Sequence, residues 1–348
     1  MTSLTPPAHG RLGFACQYRH LQGSETPKAV EAIQRPFNPR TTTLRWLNSV
    51  EPAVAEAKLL EIIDHNLAAQ HKLLAYVQSL PPALHMLRLS SDLLPFYSHP
   101  QWAAFYQAPS VRAVLEPGFA ALGELARGAG IRLSFHPGQY CVLGSDNPQV
   151  VANSLAEFEY HADMIRWMGY GQRFQDLKCN VHIAGRRGAE GVRESWAMLS
   201  TEARNCITFE NDEKTYGVDA CLALADIAPV VLDIHHSWIH EGQRIAPRSE
   251  RVARIIDSWR GVRPVLHYSQ PVERLQALGF DLENPLEMAA VLEKVGKTEL
   301  YAHSLGMWND AVNRYALQFF DRFDVMFEAK DKNVAVLEFY RRYLANPV

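Results

Sequence analysis

The chain has little of what would place it outside a cell or in a membrane. Its five cysteines (Cys16, Cys141, Cys179, Cys206, Cys221) are odd in number, scattered and without C-x-x-C spacing. That excludes a disulfide framework or zinc ribbon and fits reduced, mostly buried thiols in a cytoplasmic protein. No run approaches the ~20 apolar residues of a membrane span, and Met1 to Gly10 has no apolar signal core. Low-complexity segments and short repeats are missing too. Neither sign of charge dominates: the formal net charge is −3. That balance is neutral evidence on a polyanionic partner, because a locally basic face can coexist with an acidic site. By contrast, 348 residues with 47% hydrophobic content support a sizeable core, and fourteen histidines need an account.

Strand and helix patterns alternate along nearly the whole length. Period-2 stretches predict strands at 11–16, 84–90, 131–136, 178–183, 205–210, 229–234, 264–268 and 324–328. Helical spacing predicts a long helix carrying Leu59, Ile62, Ile63, Leu73 and Val77, then helices at 111–128, from Pro148 to about Met168, and at 191–203, 218–227, 248–259, 286–295 and 333–345. Eight βα units without a composition break imply parallel strands and right-handed crossovers. They favour a single α/β domain, a (β/α)8 TIM barrel over residues 11–348, preceded by a disordered or extended tail at 1–10. The extra length falls in loops, chiefly 17–43, 137–147 and 303–313.

The histidines recur at one place in that pattern. In Phe135-His136-Pro137-Gly138, proline and glycine stop the strand and leave His136 at its carboxyl end. His182, Glu210, Asp233, His267 and Glu328 occupy the corresponding inward positions of the later strands. His99, just after strand two, His236 and His303 can reach the same mouth. His236 is preferred over His235 for its Asp-x-x-His spacing, whereas His85, His161 and His240 read as surface or packing residues. Six imidazoles and three carboxylates on one rim would be costly without cations. Mixed N and O donors suit manganese, zinc or iron, and nine of them suit two or three ions sharing carboxylates, an arrangement used to hydrolyse phosphodiesters. Glu210 and Glu328 are the expected bridging carboxylates. Lys330 shares the face of Glu328 if the strand persists, and would then contact a phosphate.

The motifs that carry this pattern are Arg11-Leu12-Gly13-Phe14-Ala15-Cys16, Leu87-Arg88-Leu89-Ser90-Ser91 with Ser98-His99-Pro100, and Phe135-His136-Pro137-Gly138-Gln139-Tyr140. They continue with Phe209-Glu210-Asn211-Asp212-Glu213, Asp233-Ile234-His235-His236, His267-Tyr268-Ser269, and Asp324-Val325-Met326-Phe327-Glu328-Ala329-Lys330-Asp331-Lys332. In that order, over about residues 11–332, the set resembles the UV-damage endonucleases. These are DNA repair enzymes on a TIM barrel related in architecture to endonuclease IV. The resemblance implies a three-metal site at the nine residues above, typically with manganese, zinc or magnesium being alternatives. It also implies incision on the 5′ side of cyclobutane dimers and 6-4 products in double-stranded DNA, without ATP, and often at abasic sites. The family's lesion probes match Gln139 and Tyr140. Two positions depart from the family. Phe14 stands where many members have tyrosine at the lesion-facing end of strand one, with Tyr18 as a substitute four residues on. Val265 stands where members commonly carry a lysine, two residues before the strand-seven histidine.

The duplex needs a positive track, and Arg186, Arg187 and Arg244 in the fourth and sixth loops are candidate phosphate contacts. No obligatory protein partner or membrane is implied. Two other readings share the barrel: a divalent-metal sugar isomerase or epimerase, and a catalytically weak damage-binding protein.

Overall fold

A computed structural model describes residues 10–138 and 141–345. In these residues eight parallel strands close a barrel in sequence order. The strands are β1 (Leu12–Ala15), β2 (Met86–Arg88), β3 (Arg132–Phe135), β4 (Lys178–His182), β5 (Ile207–Glu210), β6 (Val230–Asp233), β7 (Val265–Tyr268) and β8 (Asp324–Phe327). Closure is made by β8 against β1, with Leu12 opposite Val325 and Phe14 opposite Phe327. Close approach of β1 to β2 requires Gly13, where a Cβ would lie 2.8 Å from the Met86 carbonyl oxygen. Among the described residues no helix is long and apolar enough to cross a membrane.

Each strand splits its residues between two environments. Leu12, Phe14, Leu87, Leu133, Phe135, Cys179, Val181, Phe209, Leu232, Leu266, Val325 and Phe327 join the main core between barrel and helices. The intervening residues fill the lumen. Ala15, Met86, Val231, Val265 and Met326 form a separate small apolar cluster with Trp259. At the amino-terminal end, Asp324 accepts from the Arg11 backbone N–H at 2.8 Å and from Arg132 Nη1 at 2.6 Å, with Arg263 Nε at 3.1 Å. Buried Gly10 donates to the Phe320 carbonyl at 2.8 Å, so the fold begins at the last residue of the expected tail.

Eight strands stand where the alternation predicts them. The helical layer differs in places. The expected loop 17–43 contains a helix at Pro27–Gln34, capped by the Thr26 hydroxyl, and the expected loop 303–313 gives way to a helix at Asp310–Leu317, capped by Asn309. The predicted 191–203 helix is two, Gly188–Met198 and Thr201–Cys206, separated where Ser200 caps the second. A further helix, Ile234–Glu241, starts directly at the end of β6. Asp233 caps it by accepting from the N–H groups of His235 and His236. A strand ending in an N-cap residue turns at once into a helix, and this turn sets the direction of His236.

Candidate metal centre

Seven residues from six strand ends meet at the carboxyl-terminal mouth. Their donor atoms form three groups, each within 4.8 Å: His136, His182 and Glu210; Glu210, Asp233 and His236; Asp233, His267 and Glu328. Glu210 belongs to the first two and Asp233 to the last two. The three groups are therefore a chain linked by shared carboxylates. Of the expected pair of linking carboxylates, Glu210 belongs to two groups and Glu328 to one, and Asp233 also belongs to two.

Glu210 is fully buried and draws in most of its neighbours. It faces His136 Nε2 at 3.2 Å, His267 Nδ1 at 2.9 Å and His182 Nε2 at 3.8 Å, and accepts from the Asn180 amide. Burial opposes its charge, but the imidazoles of His267 and His182, with hydrogen bonds from His136 and His267, hold the carboxyl well below the usual range. Asp233 goes the other way. Burial pushes it up to about 8, the charges of Glu210 and Glu328 adding to the rise. Its neighbour His236, with Nδ1 3.6 Å from Asp233 Oδ2, is raised to about 9; burial opposes that rise, but Asp233, Glu210, Glu328 and Glu213 outweigh it. Between them the pair holds a proton that a cation would displace.

Three further imidazoles, His182, His267 and His303, suit ligation because burial favours their neutral form. Burial brings His267 down to about 4 and also lowers His182 and His303. The buried atoms His182 Nδ1 and Asp233 Oδ2 have no hydrogen-bond partner. Unsatisfied donors of both kinds, N and O, inside a carboxylate-rich cluster fit a divalent cation.

Other expected site residues fall in various places. His303 borders the cluster, its Nδ1 2.8 Å from the Glu328 carbonyl oxygen and its ring 6.0 Å from that of His236. His99 is outside the three groups: its Nδ1 accepts from the Gln101 N–H and caps the short turn Pro100–Trp102. Lys330 is corrected, because β8 ends at Phe327 and the lysine lies exposed on the following turn rather than on the inner face with Glu328. Phe14 is corrected as well. Strand parity turns it outward into the main core, 2% exposed, so it offers no surface to DNA. Tyr18 is half-buried, stacked on Phe37 with ring centroids 4.6 Å apart. The Arg244 guanidinium sits over both Trp238 (5.0 Å) and Tyr315 (5.1 Å), a packing role in place of the expected phosphate contact. Arg187 is paired with Glu194, and the Arg186 side chain, 88% exposed, has Asp146 Oδ2 at 3.8 Å. Gln139 and Tyr140 lie outside the described residues. His235 points away from the cluster to the Leu300 carbonyl at 3.0 Å, and His161 is a buried packing residue, both as expected.

Sequence reasoning overlooked the residues just below the ligands. Lys178, 2% exposed, extends up the lumen from β4 to place Nζ 2.9 Å from His267 Nε2. Burial lowers its amine to about 7. The lumen thus has a lysine against the strand-seven histidine despite Val265. Arg88 pairs with Glu328 from β2. Asn211 exchanges two 2.9 Å hydrogen bonds with the Asp233 backbone. Glu213 Oε2 stands 3.8 Å from His236 Nε2. The signal for Lys178 and Asn180 was there: at four and two residues before His182 they share its face.

The sequence profile described as UV-endonuclease UvdE matches residues 10–346. The chain belongs to the UV-endonuclease UvdE family. A UV DNA damage endonuclease of Bacillus cereus (strain ATCC 10987) is 25% identical over 313 residues, covering 86% of this chain and 87% of the relative. A UV-damage endonuclease of Neurospora crassa is 30% identical over 207 residues, 55% of this chain and 31% of that protein. The crystal structure of SacUVDE shares the fold with a TM-score of 0.71 at 22% identity, over 96% of this chain and 98% of that one. As a UvdE-family barrel, the chain keeps its His, Asp and Glu cluster at the end of the strands where TIM barrels place chemistry.

Proposed function

We propose that this chain is a metal-dependent DNA repair endonuclease that nicks double-stranded DNA on the 5′ side of UV photoproducts, cyclobutane dimers and 6-4 products, and at abasic sites. The supporting observation is the chain of three donor groups sharing Glu210 and Asp233. His136, His182, Glu210, Asp233, His236, His267 and Glu328 would hold two or three divalent cations, manganese first and zinc or magnesium as alternatives, with His303 and His99 from the rim. Such cations polarise a scissile phosphate, lower the pKa of water and stabilise the leaving oxygen.

The chain's own residues do the rest. Neutral His182, His267 and His303 present lone pairs without displacing a proton. Asn180 and Asn211 fix the carboxylate of Glu210 and the backbone of Asp233. Lys178 faces Nε2 of His267, so the other ring nitrogen, Nδ1, is the one turned to Glu210 and Glu328. Arg186 is the exposed cation beside the fourth loop, suited to a backbone phosphate. Gln139 and Tyr140, which follow His136-Pro137-Gly138 in the sequence, would fill the gap at a poorly stacked lesion.

The test is incision of defined duplexes carrying a cyclobutane dimer, a 6-4 product or an abasic site, in Mn²⁺ and in EDTA. Nicks beside the lesion in Mn²⁺ alone are expected. Lesion affinity without a nick under either condition would replace this reading with a damage-binding protein.

A further inference from the structure

Lys332 has φ 52° and ψ −120°, a backbone region that favours glycine and is strained for any side chain. Cys16, at the end of β1, also has a positive φ of 68°. The turns after β8 and β1 thus both carry strained non-glycine residues, and the half-buried Lys332 amine feels the charges of Arg88, Glu328 and Arg19. Arg19 is tethered to the same turn: its N–H donates to Asn333 Oδ1 at 2.7 Å and its carbonyl accepts from Asn333 Nδ2 at 3.0 Å.

Neither cation is neutralised. Glu328 is paired with Arg88, His267 and His303, and Asp331 is near Arg19 without forming an ion pair. Among the described residues, Lys332 and Arg19 have no carboxylate at ion-pair distance. A partly desolvated ammonium with no carboxylate at ion-pair distance, held in a strained backbone, is arranged for an anion that arrives from outside. Beyond Arg19 a cavity of about 640 Å³ opens, lined by Tyr18, His20, Tyr76 and Arg341, with Glu338 as its single acid. The site lies after strand eight, the region where TIM barrels frequently hold phosphate groups.

We propose that Lys332 and Arg19 clamp a backbone phosphate of the DNA strand next to the one that is cut, the strand leaving the metal centre along the groove past Tyr18 and Arg341. This rests on the endonuclease reading for the identity of the polyanion. A phosphodiester suits the site because it carries one negative charge and exposed oxygens that need no deep pocket.

The experiment measures fluorescence anisotropy of full-length protein on a photoproduct duplex in EDTA, over a range of salt, together with thermal melting. Lys332→Gly keeps a residue suited to the backbone and removes the amine. It is expected to melt at the same or a higher temperature, to bind roughly tenfold more weakly, and to reduce the salt slope by about 0.9, the share of one phosphate contact. Lys332→Arg is expected to restore most of the affinity, and Arg19→Gln to lose slope as Lys332→Gly does. Lys332→Gly with wild-type affinity and slope would overturn the clamp. If the wild type neither prefers nor nicks the damaged duplex while Lys332→Gly still flattens the slope on plain duplex, the clamp stands and the endonuclease reading falls.

Discussion

The two ends of the barrel lumen both bury carboxylates, and they treat them in opposite ways. At the amino-terminal end, both oxygens of Asp324 are met by cationic or N–H donors from Arg11, Arg132 and Arg263. At the carboxyl-terminal mouth, Glu210, Asp233 and Glu328 face chiefly imidazoles, most of them held neutral by burial, and Asp233 Oδ2 accepts no hydrogen bond. The same lumen therefore contains a completed ionic network and an incomplete one. A completed network is structural, since removing a member leaves buried charge behind. An incomplete one is waiting for something the chain does not encode.

The largest way to break that contrast is Glu210→Gln, which removes the carboxylate shared by two donor groups. Nicking of an irradiated plasmid in Mn²⁺ should fall about a thousandfold or more. Thermal melting in EDTA should fall only modestly, because the imidazoles that hold the Glu210 carboxyl below its usual range lose their partner while Gln keeps its shape. A mutant that still nicks would place Glu210 with the structural network instead. Asp324→Asn is the mirror experiment. It strands three arginines at the barrel floor and should cost about 3 kcal/mol in denaturant unfolding. Lesion incision by the folded fraction should persist, and an undamaged stability would remove the distinction between the two ends.

Lys178 sharpens the boundary between the two, because it is a buried cation assigned to the upper network. Lys178→Met should reduce turnover by about tenfold, with melting unchanged or raised, since a buried ammonium is costly to desolvate. A large loss of stability would move the lysine into the structural set. The smallest effect is on pH. Asp233 and His236 hold protons up to about 8 and about 9, and a cation must displace them. Mn²⁺ affinity should therefore rise from about pH 7 to about pH 9, with proton release visible by titration calorimetry in buffers of different ionisation enthalpy. An affinity that stays flat over that window would show that the pair is already deprotonated.

How much of this was legible follows from where the signal resides. Strand alternation is a local property, so β1 to β8 and the inward cluster of His136, His182, Glu210, Asp233, His267 and Glu328 could be read directly. Lys178 and Asn180 obey the same parity, but a lysine on a strand ordinarily suggests an exposed face, and only barrel closure makes that position buried. Lys330 went astray through strand length. The alternation carries on past Phe327, but the backbone leaves the ladder there, and parity stops meaning anything once hydrogen bonding to the neighbours ends. Phe14 is a different case: its own parity pointed outward, and only the family comparison placed it at the lesion. The helix at Ile234–Glu241 was hidden because histidines on both sides of the strand end look like ligands, although Asp233 is a good N-cap residue.

The Asn211 side chain deserves one more consequence. By exchanging hydrogen bonds with both the N–H and the carbonyl of Asp233, its amide imitates another residue of β5 and adds a rung to the ladder with β6. That rung sits where the acids of the two strands would otherwise push their ends apart. The spacing of the two strands is thus set by a side chain of this chain, in advance of any ion. Amide hydrogen exchange at Asp233 should then be slow in metal-free protein and change little on loading, whereas Asn211→Ala would let the strand tips fray and make exchange there depend on the cation.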